Sequence, residues 1–428
     1  MTKVYDKYDG EFIGETADEP DKEKIIEDAR KSASNLSEIK AEELSDMYLN
    51  LSRKLSVRSS ELAMLMTKET GKPLRFASSD IEKCVSILKF WAQEIRGYDP
   101  LPSFVPDRFD GVHRLRFRLA MPSPPLISIA EGTSNFLETM IVFSEFISRR
   151  GPTVAIVPES CPLLLQELQR LVVESGFPAG SFQATTNTSL PDFPKSGFSF
   201  LQMGAYHSEA PVIVFDDADI DFASENLFKS MLHVGLHGGS RFNRIMSSPD
   251  SHDYLRNRIM EQCASIVLGD PHDIKTDMSD HPLTDQKIRL QEEVGKALMK
   301  GGKFAFGDRE TFRGIAGLDF QGKIDSDLLD ISISVPAFYF ANFSSLEEVL
   351  SLFPSFVQGQ NVSLYTKDIN MALLAAEKLN FRNIEINDSF DPILGLRYYT
   401  RPLLRELFNS PEGEPWPLER WKNIVIGR

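Results

Sequence analysis

From Pro125 onward, short wholly apolar runs alternate with amphipathic stretches, and this alternation constrains the fold more than any other feature of the sequence. LISIA (126–130) precedes a helical pattern over 135–149; Gly151 stops that helix and TVAIV (153–157) follows, then a second helix over 163–175 that ends at Gly176. Runs this apolar suit strands covered on both faces, and strand, helix, strand, helix in sequence builds a parallel α/β sheet. The rhythm resumes with PVIVF (211–215) and a helix to about Leu232, a helix over 253–266, and the strand and turn IVLGDP (266–271). It continues in VPAFYFANF (335–343), SLEEVLSLF (345–353), NVSLYT (361–366), INMALLAAEKL (369–379) and NIEIN (383–387), which predicts a second α/β domain beginning near 212. Between the two halves, 181–210 is rich in Thr, Asn, Ser, Pro and Gly and offers at most one short strand, near Phe198–Gln202.

The N-terminal part reads differently. A short strand or turn surrounds Asp9-Gly10, and residues 20–56 carry apolar side chains at helical spacing. Two more amphipathic helices, from Ser59 to about Arg96, are separated where Gly71 ends one and Pro73 restarts the chain. Residues 97–110 read as loop. Val112 to Leu119 alternates strictly, with Arg114, Arg116 and Arg118 opposite Leu115, Phe117 and Leu119, the pattern of a half-exposed strand.

Composition narrows the function. A chain of 428 residues is long enough for two or three cores. The net charge of −15, from 47 basic and 62 acidic side chains, leaves no basic stripe for nucleic acid. No apolar run is long enough to span a bilayer, and the N-terminal residues lack a signal-peptide core, so no membrane partner is expected. The three cysteines, Cys84, Cys161 and Cys263, are scattered, odd in number and without metal-ligand spacing, which predicts a reduced cytoplasmic setting and no metal.

Several stretches together resemble the aldehyde dehydrogenase superfamily: ELAMLMTKETGKPLRFASSDIEKCVSILKFWAQEIRG (61–97), GPTVAIVPES (151–160), APVIVFDDADID (210–221), VLGDP (267–271) and the region 345–388. The resemblance implies a Rossmann-like domain from 1–107 and 125–211, truncated near 181–210, and a catalytic-like α/β domain from 212–398. It also implies a β-strand oligomerisation arm from 108–124 and 399–428, and with it a homo-oligomer (dimer or tetramer) or a hetero-oligomer with an active relative.

The family oxidises aldehydes with a cysteine thiolate, an oxyanion asparagine, a general-base glutamate and NAD(P). Carried over position by position, these roles fall on unsuitable residues. The cysteine's turn reads Gly235-Leu236-His237-Gly238-Gly239-Ser240, so Gly238 or Gly239 takes the nucleophile's place. The base falls on Ala205 in one register and within Gln202-Met203-Gly204 in another. The oxyanion role falls on Ser134, with Asn135 one residue off and suited to a helix N-cap. The ribose acid is Ser160 or, after a one-residue gap, Glu159, and the nicotinamide-ribose motif is reduced to Asp330. Between residue 182 and Pro211 the chain is short by about 30 residues, the size of a helix and strand of a βαβ unit, including the pyrophosphate turn.

The resulting expectation is a family member without dehydrogenase activity and with no cofactor, acting as a structural, regulatory or binding subunit. The alternative is an active NAD- or NADP-dependent aldehyde dehydrogenase with a rearranged site, for which Cys161 is the first thiol to test. A serine–histidine hydrolase built on Ser240 with His237 or His233, and a small-molecule binding module, are further alternatives.

Overall fold

The computed structural model describes residues 2–17, 21–97, 115–120, 123–130, 135–156, 161–186, 189, 192–194, 196–203, 211–232, 244–280, 284–307, 315–323, 337–353, 359–388 and 421–426. The chain opens with an antiparallel hairpin, β1 (Lys3–Tyr5) and β2 (Phe12–Glu15), which turns through Gly10. Four helices follow: α1 (Lys22–Glu38), α2 (Ala41–Val57), α3 (Ser59–Thr70) and α4 (Leu74–Gly97). Asp21 caps α1 by accepting from the Lys24 amide. Gly71 ends α3 in the left-handed region at φ 73°, where a side chain would be strained, and donates to the Thr67 carbonyl.

A four-stranded parallel sheet comes next, with the order β6-β5-β4-β7. Its strands are β4 (Leu126–Ala130), β5 (Thr153–Ile156), β6 (Phe182–Thr185) and β7 (Ser199–Met203). Helices α5 (Asn135–Ser148) and α6 (Pro162–Glu174) make the crossovers. Alternation along β5 divides the packing. Ala155 joins the helical core of α2 to α6 with Phe182, whereas Val154 and Ile156 face α1, where Ile25 and Ala29 meet Ile127, Phe193 and Phe198. The sequence reading allowed at most one short strand over 181–210; the described residues hold two. The strand it missed, β6, is only four residues long; Phe182 and Ala184 join the helical core while Gln183 donates to the Ile25 carbonyl of α1, so no uniform apolar run marks it.

The second sheet has seven strands in the order β12-β13-β14-β9-β8-β15-β16, all parallel except β12 against β13. They are β8 (Val212–Val214), β9 (Arg244–Ser247), β12 (Lys303–Phe306), β13 (Ala316–Lys323), β14 (Ala337–Asn342), β15 (Gly359–Tyr365) and β16 (Phe381–Ile386). On one face α7 (Ile220–Ser230), α8 (Pro249–Ala264) and Phe76 of α4 bury Val212, Val214, Ile245, Phe338 and Phe340. On the other, α9 (Thr284–Met299), α10 (Leu346–Leu352) and α11 (Ile369–Lys378) cover Ile213, Met246, Leu318, Tyr339 and Leu364. Helix α8 begins at Pro249, four residues earlier than its periodicity suggested, because proline suits a helix's first turn.

Two small pairs complete the fold: β10 (Leu268–Gly269) with β11 (Met278–Ser279), and β3 (Leu115–Ala120) with β17 (Trp421–Ile426). The latter two are antiparallel over six residue pairs, from Trp421 opposite Ala120 to Ile426 opposite Leu115. Among the described residues no helix is long and apolar enough to cross a membrane.

Candidate functional site

The chemistry expected of the chain turns on its cysteines, and all three lie among the described residues. Cys84 sits within α4 in the helical core, fully buried, and burial pushes its thiol well up. Cys161 is the residue before α6 and is 1% exposed. Cys263 lies in the last turn of α8, and burial pushes its thiol up to about 12. A thiol attacks a carbonyl as the thiolate, and reactive cysteines occupy electropositive, accessible surroundings. The helix N-terminus next to Cys161 is one such setting, but the Glu69 carboxylate already holds it, accepting from the amides of Leu163 at 2.8 Å and Leu164 at 2.9 Å.

The remaining site positions largely escape description. Gly238, Gly239, Ala205, Ser134, Glu159 and Asp330 lie outside the described residues, as do Ser160, Ser240, His233 and His237. Asn135 is placed as the first residue of α5, the next described element after β4, one position inside the helix rather than at its cap.

A dinucleotide on a doubly wound sheet sits where the strand order reverses, with its pyrophosphate on a helix N-terminus. In the four-stranded sheet that point lies between β4 and β7. Helix α5 follows β4, but among the described residues no helix follows β7, and the next element, β8, belongs to the other sheet. Nor does a described helix join β6 to β7. Phe193 and Phe198 from this connection pack on the sheet beside α1, with Arg30 over the Phe198 ring at 5.4 Å and Lys22 3.7 Å from Asp192. Among the described residues, α5 is thus the one helix that adjoins this point.

In the seven-stranded sheet the order reverses between β8 and β15, and an internal anion fills that point. The Asp217 carboxylate accepts from the Thr366 hydroxyl at 2.7 Å and from the amides of Lys367 and Asp368 at 2.9 and 2.8 Å, next to the N-terminus of α11. Asp219 caps α7 through the Phe222 amide. The run of aspartates at 216–219 is thus an architectural device.

One serine–histidine–aspartate arrangement is present, and sequence reasoning missed it. Ser247 Oγ lies 3.0 Å from His252 Nδ1, and His252 Nε2 lies 3.3 Å from each Asp319 carboxylate oxygen. Arg256 donates to Asp319 at 2.6 Å. Burial pushes the Asp319 carboxyl up, but the hydrogen bonds and charges of His252 and Arg256 outweigh it and hold the group below its usual range. Ser247 is 1% exposed, so no substrate carbonyl reaches it, and the network instead ties β9, α8 and β13 together. Residues 67 apart in sequence meet here, and no local pattern announces that.

With this geometry established, comparison with known proteins places the chain. The profile of the aldehyde dehydrogenase family matches residues 1–114 and 201–394. The chain belongs to this family. Among its relatives, a lactaldehyde dehydrogenase of Methanococcus aeolicus is 21% identical over 90% of this chain and 88% of its own length. The NADP-dependent succinate-semialdehyde dehydrogenase of Escherichia coli is 25% identical over 76% of this chain and 73% of its own. Among solved structures, glyceraldehyde-3-phosphate dehydrogenase of Methanocaldococcus jannaschii, complexed with NADP, superposes with a TM-score of 0.78 at 18% identity, covering 100% of this chain and 99% of that one. A NAD-dependent benzaldehyde dehydrogenase of Corynebacterium glutamicum gives 0.77 at 18% identity, covering 100% and 95%. The expected α/β aldehyde dehydrogenase fold is thereby established.

Proposed function

We propose that this member of the aldehyde dehydrogenase family does not carry out thiol-dependent aldehyde oxidation and acts as a structural or binding subunit. One observation carries the reading: Cys84 and Cys161 are buried, Cys263 is half-buried in the last turn of α8, and the thiols of Cys84 and Cys263 are pushed up by burial. A thiol raised to about 12, like that of Cys263, is almost wholly protonated near neutral pH. In support, the described residues between β6 and β7 include no helix, and in the sequence reading Gly238 or Gly239 takes the nucleophile's place. Assembly would run through the β3–β17 ribbon, because paired edge strands in a two-stranded ribbon offer further edges to a second copy.

The test is formation of NADH or NADPH from a panel that includes lactaldehyde, succinate semialdehyde and benzaldehyde. The expected result is no formation above the enzyme-free rate. Turnover abolished by Cys161→Ala and retained in Cys263→Ala would instead establish the second reading, an active NAD(P)-dependent aldehyde dehydrogenase. Two observations favour that second reading: the relatives bear the names of such enzymes, and Cys161 stands at a strand-to-helix turn.

A further inference from the structure

Two described residues other than glycine sit in the left-handed region: Asn387 at φ 53° and Arg150 at φ 63°. A Cβ makes that conformation costly, so each calls for a compensating contact. Asn387 has one. Its side-chain amide donates to the Thr366 carbonyl at 2.9 Å, and its side-chain oxygen accepts from the Thr366 amide at 3.1 Å. Arg150 has nothing of this kind. It lies just past the C-terminal end of α5, half-buried, and its Nη1 is buried with no hydrogen-bond partner among the described residues. The buried carboxylate nearest in sequence, Glu145, pairs with Arg149 instead.

An arginine at a helix end commonly serves the last carbonyls. Here other donors already satisfy them. The Ser144 carbonyl accepts from the Tyr48 hydroxyl, that of Glu145 from Ser148 Oγ at 2.6 Å, that of Phe146 from the amides of Arg149 and Gly151, and that of Ile147 from the Arg150 amide. Burial lowers the Arg150 guanidinium from its ordinary range, and only Tyr48 acts in the opposite sense. Tyr48 is itself fully buried. Burial pushes its hydroxyl well up and the charge of Arg150 opposes that rise, so the two side chains lie within electrostatic reach. The Ser144 hydroxyl is also fully buried and has no partner among the described residues. A half-buried cation, a buried N–H and a buried hydroxyl thus gather around Tyr48, all unanswered.

We propose that Arg150 anchors a binding site for a small oxyanion of the phosphate class, with the guanidinium and the Ser144 hydroxyl as donors. A bidentate guanidinium engages two phosphate oxygens and leaves a third for the hydroxyl. The charge-assisted pair supplies what the left-handed backbone and the half-buried cation otherwise lack. The site stands at the end of α5 remote from Asn135, and whether the chain oxidises aldehydes does not enter the argument.

Calorimetric titration of the full chain with inorganic phosphate, at an ionic strength held constant with chloride, tests the site. The wild type should bind phosphate saturably, and Arg150→Gly should weaken binding by about tenfold or more. Ser144→Ala should weaken it by roughly threefold to tenfold. Glycine relieves the left-handed backbone, so Arg150→Gly should melt no lower than the wild type in chloride. Phosphate should raise the thermal midpoint of the wild type and leave that of Arg150→Gly unchanged. Arg150→Gln keeps the backbone strain and removes the charge, and it decides the matter if Arg150→Gly does not fold. Glycerol 3-phosphate separates the two sources of the anion: tighter binding than inorganic phosphate assigns the site to a phosphorylated metabolite, weaker binding to the free ion. Absence of saturable phosphate binding, or equal binding in the wild type and in Arg150→Gly or Arg150→Gln, overturns the site. So does an Arg150→Gly that melts below the wild type in chloride and keeps its response to phosphate, which is what a charge serving only the helix end predicts.

Discussion

Glu69 is a buried carboxyl, 1% exposed, that caps α6 from the end of α3. Burial pushes it up to about 7, against the two amide hydrogen bonds and the charge of Lys7 that lower it. Because the folded value lies above the unfolded one, the native state holds a proton that the unfolded chain releases between about pH 4.5 and about pH 7. Stability from this group is therefore complete below that window and declines as pH rises through it, by about 3 kcal/mol at most. Glu69→Gln should remove this slope from the pH profile of thermal midpoints while lowering the midpoint near pH 5. A profile parallel to the wild type would show that Glu69 does not titrate there. Lys72 and Asp80 form a buried ion pair in the same junction, with side chains 1% and 3% exposed. Asp80→Ala leaves an unpaired buried ammonium and should cost about 3–5 kcal/mol in denaturant unfolding. The E-T-G-K-P stretch is thus explained residue by residue: a cap, a turn, a left-handed glycine, a buried cation and a helix restart.

At the scale of elements, the α3–α4 break was legible because a positive-φ glycine and a following proline are local signals. Gly180 shows what is not local. Its φ is 84°, and a Cβ there would stand 2.6 Å from the Asp28 carbonyl oxygen of α1. Gly180→Ala should therefore lower stability by more than the roughly 1 kcal/mol of backbone strain alone, since α1 must shift as well. The connection between β6 and β7 behaves similarly. Phe193 and Phe198 are buried against α1 and the sheet, although their surroundings in sequence are polar and rich in proline. Phe198→Ala should cost about 3–5 kcal/mol by thermal or denaturant unfolding, through lost burial and the cavity left behind. A cost below about 1 kcal/mol would mean that this segment does not seal the sheet face.

For the whole molecule, the decisive quantity is the number of chains. The β3–β17 ribbon joins residues about 300 apart in sequence, and a two-stranded ribbon is marginal alone in water. Light scattering after size exclusion should give a multiple of 48.2 kDa, and a variant ending at residue 420 should revert toward one chain. A clean monomer for the full chain would remove the assembly proposal while leaving the fold untouched.

The sequence by itself determined the α/β class, the helices from residue 22 to 97, most strands of both sheets and the family resemblance. Periodicity, glycine and proline are local, and they survive without knowledge of partners. It also supplied the count of three cysteines, which limits the chemistry before any coordinate is known. Only the tertiary structure decided where those thiols lie, that Asp217 fills the reversal point of the second sheet, and that Asp6 and Asp270 meet at His272. The physical reason is range. Burial and a shared hydrogen bond depend on groups 149 to 266 residues away, and chain topology, not neighbouring residues, brings them together.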